Sequence, residues 1–259
     1  MPSSSVVIHV PHSSTEIPEH LRSQFLLSDE ALDRERTAMT DHHTLDLFGR
    51  EFKHCRVVPF PVSRLVVDPE RFLDDEQESM ARIGMGVVYT RTSDGGVLRH
   101  PPTAEQRHQL ITDYYRPHHQ RLTEAVDAAL AARGRCLIID GHSFPSRPLP
   151  YETDQDPGRP DICLGTDRFH TPDALRQLAE AIFQRDGFTV AIDRPFSGTM
   201  VPDKHFGKTA NVCSLMIEIN RGLYVDEETG ERSASYENFH QRFSSCLGLL
   251  IEAWEKNSQ

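Results

Sequence analysis

No run of about 18 or more apolar residues occurs in the sequence, and its first residues, MPSSSVVIHVPHSS, lack a basic segment followed by a long apolar stretch. A membrane partner is therefore not expected, and a cytoplasmic location is. Basic residues are few. Lys and Arg total 28 against 39 Asp and Glu, a net charge of -11 spread along the chain instead of gathered in a tail. That argues against nucleic acid, which needs a concentrated basic footprint. A small anionic substrate stays compatible, because a few arginines can reverse the field inside one cleft. The five cysteines (Cys55, Cys136, Cys163, Cys213 and Cys246) show none of the short spacings of zinc knuckles or redox motifs, so they read as reduced thiols. Cys136 and Cys213, beside apolar runs, read as core residues and not nucleophiles. The Gly-containing stretches at 92–96 and 196–200 lack phosphate-loop and dinucleotide spacing, which leaves site edges or tight turns. Repeats, low-complexity tracts and linkers are also missing. With 259 residues, 37% of them hydrophobic, the chain can bury one sizeable core, and residues 1–259 are read as a single domain.

Short aliphatic runs predict strands at 6–10, 56–59, 86–90, 137–140, 161–165, 188–192 and 215–219. Several are apolar almost throughout, which suits strands covered on both faces. Helical patterns lie between them. Residues 103–133 open on a Thr103-x-x-Gln106 capping box and stop at Gly134, with a break or kink expected at Pro117. Residues 172–186 and 235–256 carry two further helices. Alternating strands and helices give an α/β fold with a mixed, largely parallel sheet. Residues 61–78 and 144–160 are long, aperiodic and rich in proline and charge, as functional loops are.

Two predicted strands are followed by a histidine: His12 after VVIHV and His142 in LIIDGHS. Ligands collect at the carboxyl ends of strands in such sheets, so parallel neighbouring strands would bring both imidazoles to one crevice, where they can hold zinc. With 14 histidines in the chain, each taken singly reads more readily as a satisfied polar residue than as a ligand. Glu218 sits inside the apolar run SLMIEIN, where an unpaired carboxylate is costly and burial raises its pKa. It is read as the general base of a hydrolysis, the alternative being an ion pair to Arg221 or another arginine.

The strings HVPHSS, PVSRLVVDPERF, GMGVVYTRTSDGG, IDGHSFPS, RPDICLG, RPFSGTMVP and MIEINRGLYVDEETG, in that order, resemble the N-formylglutamate amidohydrolase family. The resemblance implies the fold of zinc carboxypeptidases and aspartoacylases, a three-layer α/β/α sandwich. It also implies a divalent metal, expected to be zinc, on His12, His142 and one carboxylate, with Glu218 as catalytic base. The carboxypeptidase pattern would put that carboxylate at position 15, which is Thr15 here. Asp41 is preferred over Glu16, since Leu45, Leu47 and Phe48 could pack while Asp41 faces the strand ends. His42 and His43 are read as a partly exposed pair, and His118 and His119 as helix-surface residues or cleft neighbours. Arg64, Arg194 and Arg221 are expected to bind substrate, Arg64 and Arg194 as clamps on carboxylates. Arg71 is read as structural, paired with Asp68, Asp74 and Asp75. The expected activity is hydrolysis of a small anionic N-acyl amino acid, N-formyl-L-glutamate first, giving formate and L-glutamate. Another small N-acyl amino acid or amide is the nearest alternative. A non-catalytic binder of anionic metabolites is a third, ranked last because His12, His142 and Glu218 are all present.

Overall fold

The computed structural model describes residues 4–256. Six strands form one sheet in the order β2-β1-β3-β6-β4-β5: β1 (Val6–Val10), β2 (Arg56–Pro59), β3 (Cys136–Phe144), β4 (Ile162–Gly165), β5 (Val190–Ile192) and β6 (Val212–Asn220). All pairings are parallel except β4 with β6. The expected mixed, largely parallel sheet is thus present. Its central strands β1 and β3 are buried at every position, which explains their near-continuous apolar sequence.

Helices α1 (Asp29–Met39), α2 (Thr44–Gly49), α3 (Ala104–Leu110), α4 (Arg116–Arg133), α5 (Asp173–Arg185) and α6 (Tyr236–Lys256) complete the fold. Strand alternation sorts them into layers. Val6, Ile8, Leu137, Ile139, Leu215 and Ile217 pack with residues of α2, α5 and α6, whereas Val7, Ile138 and Val212 pack with Leu122, Val126 and Ala129 of α4. That is the anticipated α/β/α sandwich. By the same alternation His9, Asp140, His142 and Glu218 belong to the α4 face, toward the carboxyl ends of their strands. No helix among the described residues is long and apolar enough to cross a membrane.

Two local expectations differ. Residues 86–90 form no strand; the run makes loop hydrogen bonds, such as Asp68 N–H to the Val87 carbonyl at 2.8 Å, and buries Val87, Val88 and Tyr89 in a second cluster. Pro117 does not break the helix. Residues 111–115 between α3 and α4 form a π-turn in which the Arg116 N–H bonds back to the Ile111 carbonyl, and this shift of register accommodates a residue lacking an N–H. The Thr103–Gln106 capping box and the left-handed Gly134 terminus are as expected.

Gly141 lies between Asp140 and His142, and a Cβ there would meet the Phe48 ring of α2 at 2.9 Å. Gly141→Ala should therefore push α2 and the preceding Asp41 turn outward, costing about 1–3 kcal/mol as overpacking does. Urea unfolding measures it, and an unchanged midpoint would contradict this account of the packing.

Candidate active site

His12 lies two residues beyond β1, and its carbonyl accepts the Asp41 N–H at 3.0 Å, which ties the turn before α2 to the strand end. His43, with φ of 60°, makes that turn, and the Asp41 carbonyl accepts the Thr44 hydroxyl at 2.8 Å. Asp41 is thereby aimed back at the sheet. Its Oδ2 is 3.7 Å from His12 Nδ1 and 3.2 Å from His142 Nδ1, and all three residues are buried. His12, Asp41 and His142 each offer a ligand-type atom within 4.8 Å of the others. Glu16, the competing carboxylate, is exposed and outside this group.

The far ring nitrogens are fixed by other carboxylates. His12 Nε2 is 2.8 Å from Asp68 Oδ1, and His142 Nε2 is 3.1 Å from Asp140 Oδ1. Each imidazole can then give its Nε2 proton to a buried carboxylate and present the Nδ1 lone pair to the common point, an arrangement that orients and strengthens histidine ligands. His12 Nδ1 is buried with no hydrogen-bond partner, an unmet group that a divalent cation would satisfy. The donor set of two imidazoles and a carboxylate suits zinc and leaves a position open.

Burial alone would raise Asp41, but the imidazoles of His12 and His142 close beside it and the Arg221 charge more than offset it and hold the carboxyl well below its usual range. Asp68 is likewise held well below, against burial, by Arg64, His12 and Arg71. Glu218 goes the other way. It is the cross-strand neighbour of His142, its Oε2 is buried without a partner, and burial pushes its pKa up to about 8 against the pull of His142.

The family model for N-formylglutamate amidohydrolase matches residues 4–225. The chain belongs to the N-formylglutamate amidohydrolase family. It is 28% identical to an N-formylglutamate deformylase of Pseudomonas aeruginosa over 86% of this chain and 83% of that protein. A second such deformylase, of Pseudomonas putida, is 25% identical over 96% of this chain and 91% of that protein. A solved N-formylglutamate amidohydrolase from Ralstonia eutropha superposes with a TM-score of 0.86 at 24% identity, over 98% of this chain and 95% of that one. An Agrobacterium tumefaciens gene product gives 0.65 at 20% identity, over 95% and 92%. At these identities the two solved structures speak for the fold alone.

In this N-formylglutamate amidohydrolase family member the arginines are arranged differently from expectation. Arg64, Arg71 and Arg221 line a cleft of about 310 Å³ together with His12, Asp41, His142 and Glu218. Arg194 does not. It is half-exposed and held by Asp154 at 2.9 Å and Asp156 at 2.5 Å, although its neighbours Pro195 and Phe196 reach the cleft. Arg71, read as structural through Asp68, lines the cleft as well: it approaches Asp68 to 3.8 Å, and its buried Nε has no hydrogen-bond partner. Arg221 is committed internally, donating to Ser143 Oγ, the Ala38 and Ser143 carbonyls and Asp41 Oδ1. Leu45, expected to pack, is exposed, while Leu47 and Phe48 are buried. His42 and His43 bond to the Thr37 and Gly230 carbonyls, outside the cleft. A larger hollow of about 750 Å³ beside β2 is lined by His43 and Leu45 but by none of His12, Asp41, His142, Glu218, Arg64, Arg71 and Arg221, and its Asp46 and Arg50 pair with each other. Asp68, Asp140 and Glu70 escaped the sequence reading as site residues. For Asp140 the signal was available, a carboxylate in an apolar strand as at Glu218.

Proposed function

We propose that this protein is a metal-dependent amidohydrolase that hydrolyses N-formyl-L-glutamate to formate and L-glutamate. The observation that carries the reading is the convergence of His12 Nδ1, Asp41 Oδ2 and His142 Nδ1 in one cleft with the unpartnered carboxylate of Glu218. The names of the Pseudomonas relatives support the substrate. His12, Asp41 and His142 would hold the cation, zinc by the donor chemistry. When bound, the cation supplies Lewis acidity toward a water and the acyl carbonyl oxygen. Glu218 as carboxylate takes the proton of the attacking water and delivers it to the amine nitrogen as the C–N bond breaks. Arg64 and Arg71 receive the two carboxylates of the glutamyl part, and Arg221 holds Asp41 in place. Five buried free cysteines suit a reducing cytoplasm.

Amine release from N-formylglutamate and N-formylglutamine by the zinc-loaded protein tests the reading. The glutamate substrate should be turned over about tenfold to a hundredfold faster in kcat/KM, the value of one charge-assisted contact. Arg71→Ala should raise KM for N-formylglutamate by a similar factor and Arg194→Ala should leave it unchanged. Equal rates on both substrates would defeat the clamp, and no turnover of any N-formyl amino acid would defeat the function.

A further inference from the structure

Behind His142 runs a line of buried polar groups that the hydrolysis does not use. The Asp140 Oδ1 that faces His142 Nε2 is also 2.8 Å from His9 Nδ1, and His9 Nε2 is 2.8 Å from His118 Nε2 on α4. His9, Asp140 and His118 have no exposed surface. Asp140 is anchored at its other oxygen, where Oδ2 accepts the Met200 backbone N–H at 2.8 Å. The line ends at His118 Nδ1, which is buried with no hydrogen-bond partner.

The protons in this line follow from one another. If His142 presents its Nδ1 lone pair to a cation, its proton sits on Nε2 and goes to Asp140. An ionised Asp140 only accepts, so His9 carries its proton on Nδ1. His9 Nε2 is then an acceptor, and the 2.8 Å contact requires the proton of His118 on Nε2. What remains at the end is a bare lone pair on His118 Nδ1, the less costly group to leave unpaired.

We propose that His9 and His118 are positioning residues that act through Asp140 to hold His142 in the tautomer and ring orientation in which it binds the divalent cation. This rests on the reading of His142 as a ligand. It gives α4 a part in the site, because His118 is the α4 residue that closes the line against β1, with the Phe60 ring packed edge-on beside it at 5.0 Å.

A competing assignment uses the same atoms. His9, Asp140 and Glu70 each offer a ligand-type atom within 4.8 Å of the others, His9 Nδ1 lies 2.8 Å from Asp140 Oδ1 and 3.4 Å from Glu70 Oε1, and Glu70 Oε1 is buried without a hydrogen-bond partner, which gives a second cation a donor set. Placing one would take the Nδ1 lone pair of His9 and move its proton to Nε2. His118 would then have to accept at Nε2 and carry its own proton on Nδ1, a buried donor with no acceptor. The relay avoids that cost.

Zinc titration of the metal-free protein against a competing chelator, with 15N NMR of the imidazoles, tests the proposal. The wild type should bind one equivalent. His9→Leu and His118→Leu should bind it roughly tenfold to a hundredfold more weakly, as loss of outer partners of a ligand does. His9→Asn, whose amide can stand in for Nδ1–H, and His118→Gln, whose amide can stand in for Nε2–H, should restore most of the loss. In the metal-free wild type His9 should be protonated on Nδ1 and His118 on Nε2, a readout independent of any variant's folding. Unchanged affinity in both leucine variants, the opposite tautomers, or two equivalents of zinc with one lost in Glu70→Gln would overturn the relay while leaving the ligand reading intact. A wild type that binds no zinc, or a His142→Ala variant that binds it normally, would overturn both.

Discussion

Glu218→Gln should bind zinc and substrate yet lose at least about a hundredfold in kcat, and up to about ten-thousandfold, the span that general-base catalysis contributes. Gln keeps the shape of the side chain in a strand where the neighbouring positions are packed, so the loss reports the missing base and not a disturbed sheet. The Oε2 atom has no protein partner, which means that the amide disrupts no hydrogen bond of that oxygen. Normal turnover by the variant would remove Glu218 from the chemistry.

Stability carries the same information with a definite sign. Burial raises Glu218 to about 8 in the metal-free fold, against about 4.5 in the unfolded chain. Between those values the folded state holds a proton that the unfolded state has released. The contribution of the neutral carboxyl is fully present below pH 4.5 and is lost as pH rises through about 8. Metal-free Glu218→Gln should therefore gain in Tm over wild type as pH is raised from 5 to 9. Zinc, by favouring the carboxylate, should narrow that gap, and a gap independent of pH would contradict the buried-carboxyl assignment. The same cation should bring the acid limb of kcat/KM below 8 while leaving it above the value of a solvated glutamate.

The parts of the site that could be read from sequence are those where a polar residue interrupts a pattern. Glu218 breaks an apolar strand and is marked by pattern alone, whereas His12 and His142, near strand ends, stand out only together with Glu218 and the family resemblance. Asp41 was reachable because the packing of Leu47 and Phe48 orients the turn ahead of α2. What pattern could not supply were pairings across long separations. Arg194 lies in a motif that resembles the family, but its guanidinium is claimed by Asp154 and Asp156, some forty residues earlier in the chain. The pairing of Asp68 with Arg71 is present at 3.8 Å, but pattern does not show that the same oxygens also serve His12, Arg64 and the Tyr89 hydroxyl. The run at 86–90 has strand composition, yet its backbone is satisfied by loop partners and its side chains by a cluster beside the sheet, so tertiary packing overrides β-propensity there.

Removing a ligand should have the largest effect on the loaded protein, and Asp41 is the proposed ligand whose removal needs most care. Its Oδ1 faces Arg221 at 3.1 Å and its Oδ2 accepts the Ser143 N–H at 3.2 Å, both deep in the fold. Asp41→Ala would leave a buried guanidinium without its counterion, a loss of about 3–5 kcal/mol that could unfold the protein and mimic a metal defect. Asp41→Asn removes the same charge but softens the loss, because the amide oxygen still accepts a hydrogen bond from Arg221, and its Tm is measured beside its zinc affinity so that a folding defect is told from a metal defect. Asp41→Asn, His12→Ala and His142→Ala should each bind zinc more than about a hundredfold more weakly, beyond the range for outer partners, and lose turnover in proportion. Chelation of the wild type should abolish activity and zinc should restore it. Glu16→Ala, exposed and distant from the convergence point, should match the wild type in both measurements. Should Glu16→Ala lose zinc while Asp41→Asn retains it, the acidic ligand lies on the loop after β1 and the turn before α2 serves only to hold Arg221.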